Sequence, residues 1–130
     1  MFRKILIFIL ILSNIAIAWN WDTHQEQART VFYYLPNELR AALDLSLMEE
    51  GAVIPDRDFK DFENHHYPES VGKANEFLEK TKDAVNKGDY ENASLNFGIA
   101  SHYITDSFAA PHYTKEIYSL HKKYEDQASK

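Results

Sequence analysis

The segment SHYITDSFAAPHY, residues 101–113, sets His102 and Asp106 four positions apart and His112 just beyond Ala110-Pro111. On a helix that spacing puts an imidazole and a carboxylate on one face, one turn apart, where both can reach one metal ion. LHKKYED, residues 120–126, repeats the spacing with His121 and Glu125, and Asp56 and His65 lie in the irregular stretch before these helices. Taken singly, each set has an ordinary explanation, because His and Glu are common on solvated helix faces and loop Asp favours turns. Taken together, five of the six histidines (His24, His65, His102, His112 and His121) fall into sets with carboxylates. His, Asp and Glu without thiolate make the donor set of a hydrolytic zinc site rather than a structural one, and the chain has no cysteine. The chemistry such a set supports is the activation of water by bound metal.

The elements that must position these residues read as helices. Gly and Pro are scarce, at four each, and the long segments between them have a period of three to four rather than two. The pattern predicts helices over Thr23–Leu35, stopped by Pro36, and Asn37–Glu49, ended by Gly51. Residues 50–67 show no period and form a long irregular loop, of a kind usually functional in compact domains. A third helix starts near Pro68-Glu69-Ser70 and runs to Lys87, with Val71, Ala74, Phe77, Leu78, Thr81, Ala84 and Val85 on its apolar face. A fourth, Tyr90–Ala109, is the most apolar and the expected centre, ended by Pro111; a last one spans Lys115–Ala128. The fold class expected is all-α: a compact single-domain helical bundle of about five helices.

Residues 1–18 have the form of a secretory signal peptide: Arg3 and Lys4, an apolar run Ile5–Leu12, and Ala16-Ile17-Ala18 as a cleavage site. That run is far short of the roughly 20 apolar residues of a membrane helix. Cleavage after Ala18 would leave 130 − 18 = 112 residues, one small domain over 19–130, secreted or periplasmic. Without Arg3 and Lys4 the balance is 12 basic against 20 acidic residues, a net −8, which argues against a nucleic acid gripped through many phosphates. An exported domain this small with no disulfides needs another support for its core, and bound metal would supply it.

Read in order, W-x4-H (Trp19, His24), D-x8-H (Asp56, His65), H-x3-D-x5-H (His102, Asp106, His112) and H-x3-E (His121, Glu125) form a pattern. By this pattern the chain resembles the zinc-dependent phospholipase C and P1 nuclease superfamily, over nearly the whole span from Trp19 to Glu125. The HYITDSFAAPH and HKKYE segments and the context ASLNFGIASHY look most like the bacterial phospholipase C branch, and the short Trp19 to His24 spacing more like the nucleases. The resemblance implies an all-α hydrolase with a trinuclear zinc site. It assigns Asp56, His65, His102 and Asp106 to one zinc. The α-amino nitrogen and carbonyl of Trp19, made terminal by cleavage, would bind a second together with His24 and a bridging Asp106. His112, His121 and Glu125 would hold the third. His66 beside His65 is the alternative ligand at that position. Asp56 is further implied as catalytic, taking a proton from the attacking water.

For the substrate, the resemblance implies a phosphodiester, most closely a glycerophospholipid met at a membrane surface. In the phospholipase branch a choline head group is held by an acid and two aromatics; Asp22 and Phe62 match the acid and one aromatic, whereas Arg57 replaces the other and opposes a cationic group. The alternative is a P1-type single-strand nuclease or 3′-nucleotidase, with His66 or Tyr67 as a base platform and nucleic acid as the partner. A zinc-binding domain with little activity is the third class, since the chain is short for the family and consistent with a C-terminal truncation. No protein partner is implied, and a monomer is expected.

Overall fold

Asn20 sets the start of the first helix: its Oδ1 accepts the backbone N–H of Thr23 at 2.9 Å, one of the donors a helix N-terminus leaves unpaired. In the computed structural model, which describes residues 20–109 together with Lys123 and Gln127, this helix, α1, spans Trp21–Tyr34. It begins two residues earlier than the pattern predicts, so capping belongs to Asn20 and Asp22 sits in the first turn, facing the positive end of the helix dipole. Leu35, held extended before Pro36, ends it.

The expected second helix is two. α2 covers Asn37–Ala42 and α3 covers Leu45–Gly51, with Leu43 and Asp44 extended between them. Asp44 makes the break. Its Oδ1 accepts from the N–H of Leu47 at 3.0 Å, starting a new helix, while its own N–H donates to Ser94 Oγ at 2.9 Å. A side chain that caps locally competes with helix continuation, and the kink turns Leu43 into the core.

The expected irregular loop contains one turn of π-helix at Pro55–Phe59, a left-handed Lys60 (φ 52°) and a 3-10 turn at Phe62–His65. α4, Glu69–Asn86, follows, then a turn through Gly88 at φ 72°, a conformation glycine adopts without strain. α5, Tyr90–Phe108, is capped by Asp89. Every regular element among the described residues is helical, and no described helix is long and apolar enough to cross a membrane. The predicted helix 115–128 and the leader 1–18 lie outside the described residues.

α5 is central, packed along α4 and against α1 and α3. Phe32, Leu43, Met48, Ala84 and Ala93 form one apolar cluster, and Ala74, Phe77, Ile99, Ala100 and Tyr103 a second. Of the stripe predicted on α4, Ala74, Phe77 and Ala84 are buried but Val71 is exposed. Ser70 takes the inward position instead, its Oγ 2.7 Å from Ser107 Oγ.

The crossing of α3 and α5 depends on two glycines. A Cβ on Gly98 would lie 2.1 Å from the Met48 carbonyl oxygen, and one on Gly51 2.2 Å from that of Leu95. Both obstacles are backbone, which cannot rotate aside. Gly98→Ala is therefore expected to destabilise the fold by about 1–3 kcal/mol through overpacking, measured by denaturant unfolding; an unchanged midpoint would show that the helices separate freely.

Candidate metal centre

Five side chains from four separate elements meet at the end of the bundle where α5 finishes. His24 comes from α1, Asp56 from the π turn, His65 from the 3-10 turn, and His102 and Asp106 from successive turns of α5. All five are buried, and His102 and Asp106 completely so. Asp106 Oδ2 lies 2.8 Å from His65 Nδ1 and 3.2 Å from His102 Nε2, while Asp106 Oδ1 faces His24 Nε2 at 3.6 Å. Asp56 Oδ1 is 3.5 Å from His65 Nδ1 and 3.7 Å from His102 Nε2.

The donor atoms fall into two trios, His24–His102–Asp106 and Asp56–His65–His102, each with its members within 4.8 Å of one another. His102 joins them, its ring stacked on His24 at 3.8 Å and edge-on to His65 at 4.7 Å. Its Nδ1 lies 2.8 Å from the Ala52 carbonyl oxygen just past α3. A carbonyl can only accept, so Nδ1 carries a proton and Nε2 faces the cluster, where the neutral ring would offer its lone pair to a metal. Thr105 Oγ1 stands 3.3 Å from His24 Nδ1, on the side away from Asp106. Neither Ala52 nor Thr105 had a sequence signal, since a backbone carbonyl is available at every position.

The electrostatics are those of a cation site. Burial pushes the Asp56 carboxyl up; the charges of His102 and His65 oppose this incompletely, and that of Asp106 adds to it, so the group is held above its ordinary value. Burial would likewise raise Asp106, but the charges of His102 and His24 and hydrogen bonds from His102 and His65 hold it well below the usual carboxylate range. Burial lowers the His102 imidazole, yet Asp106 and then Asp56 outweigh it, and the ring is held above its ordinary 6.5. Neither oxygen of Asp56 accepts a hydrogen bond, although both are buried. A buried carboxylate left so is costly, and a divalent cation would satisfy it. Two carboxylates and three imidazoles without sulfur suit zinc.

His65, rather than His66, is turned into the cluster; His66 is half-buried at the end of the 3-10 turn. Phe62 packs its ring 5.9 Å from that of His65. Arg57, next to Asp56 in sequence, has Nη2 2.6 Å from both Glu50 and Asp58, and these partners hold its pKa up. Asp22 and Trp21 are exposed. Trp19, His112, His121 and Glu125 lie outside the described residues.

Residues 23–129 match the family model described as zinc dependent phospholipase C. No curated protein and no solved structure is similar enough to the chain to count as a match.

A protein with this centre responds to pH differently with and without metal. In the metal-free protein the raised His102 contributes stability that is complete below its unfolded value of about 6.5 and is lost as pH rises through the folded value. With zinc bound, Nε2 of the ring would hold no proton to lose, so above that unfolded value this contribution stays level instead of falling. Unfolding free energies measured from pH 6.5 upward should diverge by at most about 1.4 kcal/mol per pH unit for this one proton; parallel curves would show that His102 does not exchange its proton for metal.

Proposed function

The chain belongs to the zinc-dependent phospholipase C family, and from that membership we propose that it is an exported hydrolase of glycerophospholipids carrying three zinc ions. The observation that carries this reading is the burial of Asp56, Asp106, His24, His65 and His102 side by side, with the Asp56 oxygens accepting no hydrogen bond. Zinc, when bound, supplies an acidic water and positive charge for the phosphate oxygens.

The chain's own residues divide the remaining work. Asp106 turns one oxygen to His24 and the other to His65 and His102, so it would hold metal with both oxygens. His102 is kept in one tautomer by Ala52. Asp56, whose affinity for a proton burial raises, accepts the proton of the attacking water on a carboxylate oxygen. Water adds to phosphorus, the bond to the glycerol oxygen breaks, and that oxygen takes up a proton, giving diacylglycerol and a phosphorylated head group. Arg57 is occupied by Glu50 and Asp58, so its charge is offset and a cationic head group is not opposed. His112, His121 and Glu125 complete the ligands, as does Trp19 once a signal peptide is removed after Ala18.

Incubated with vesicles of mixed phospholipids, the protein should release phosphorylated head groups, lose this activity to a chelator and regain it with zinc. Nucleotide release from single-stranded DNA without head-group release would overturn the lipid assignment in favour of a nuclease. Asp56→Asn, which keeps an oxygen donor, should lower kcat by roughly 10²–10⁴-fold; an unchanged kcat would remove Asp56 from proton transfer.

A further inference from the structure

The segment joining Asp56 to His65 has little regular structure to fix it: one π turn, a left-handed Lys60 and one 3-10 turn. Two side chains at its ends nevertheless meet in the buried cluster. Tyr103 reaches this segment from α5. Its ring is wholly buried and stands edge-on to both His65, at 5.6 Å, and His102, at 5.5 Å. Its hydroxyl donates to Asp61 Oδ2 at 3.0 Å. The other oxygen of Asp61 accepts from the side-chain amide of Asn64, the residue before His65. Asp61 thus has one oxygen tied to the central helix and the other to the turn that carries the histidine.

We propose that Tyr103 and Asp61 act as positioning residues, a latch that fixes the 3-10 turn against α5 and aims His65 at the ion it shares with Asp56, His102 and Asp106. The latch rests on the zinc-site assignment above, and neither residue touches zinc or substrate. Packing alone does not call for the hydroxyl, because phenylalanine would fill the same volume and keep the stacking on Phe77 (6.2 Å between centroids). A buried hydroxyl is tolerated where it is bonded, and its partner here is the segment whose placement decides the site. Metal ligands are sensitive to such outer partners, whose loss typically weakens affinity by about 10- to 100-fold.

The test is a competition titration of zinc against a chromophoric chelator, with cobalt(II) absorption spectra, on the full chain and on Tyr103→Phe, Asp61→Ala and Asp61→Asn. Tyr103→Phe and Asp61→Ala should keep the helical circular dichroism and the number of ions bound, weaken one site by about 10- to 100-fold and alter the cobalt spectrum. Asp61→Asn retains an acceptor for Tyr103, and Asn64 can reverse its amide to suit, so this variant should recover most of the affinity and the parent spectrum. Should Tyr103→Phe fail to fold, Asp61→Ala decides by the same readouts. A parent protein that binds zinc, with both latch-breaking variants matching its affinity and spectrum, overturns the latch alone. A parent that binds no zinc overturns the metal-site assignment and the latch with it.

Discussion

Asp56 and Asp106 are carboxylates held out of water where α1, α5 and two irregular turns converge. Removing one such charge from solvent has an effective penalty of several kcal/mol, so a fold that buries two at one point must answer them there. The three imidazoles answer part of the charge. Neither oxygen of Asp56 accepts a hydrogen bond, even so, and burial, with the repulsion of Asp106 added to it, keeps Asp56 inclined to hold a proton. A divalent cation removes both difficulties at once, which is why ligand binding and folding are one equilibrium in such a domain. Among the described residues no other buried charge demands so much of its surroundings.

The scaffold is arranged to meet that demand. α5 brings His102 and Asp106 from consecutive turns and needs no loop to do so. α3 crosses it closely enough, through Gly51 and Gly98, for the Ala52 carbonyl to reach His102. α1 delivers His24 two residues after Asp22, from a helix started by Asn20. Only Asp56 and His65 come from short turns, and there the chain uses the bonds of Asp61 to Tyr103 and Asn64. The surface ion pairs, such as Arg29 with Glu49 or Lys80 with Glu76, lie on solvated faces and contribute little by comparison.

The period of α4 was legible because it buries one face, and α5 because it is the most apolar segment, buried all round over residues 98–103; the His102–Asp106 pair followed from the i, i+4 geometry of α5. The break at Leu43–Asp44 was not, because the apolar period runs through it and the competing bonds come from Asp44 itself and from Ser94, fifty positions away. The start of α1 at Trp21 was not legible either, because Asn20 and Asp22 are both of a residue type that caps helices. The choice between His65 and His66 needs the direction of a 3-10 turn, which no period reports. Tyr103 and Asp61 stand forty-two positions apart, and their pairing exists only once α5 and the turn are packed.

The central claim is that His24, Asp56, His65, His102 and Asp106 enclose zinc. Anomalous diffraction at the zinc edge, on crystals of the metal-loaded protein, tests it most directly. The account predicts zinc peaks about 2.0–2.2 Å from nitrogen or oxygen atoms of these side chains, with His102 Nε2 and both Asp106 oxygens among them. Peaks confined to other residues, or a protein that crystallises with these five side chains intact and no zinc between them, would contradict it.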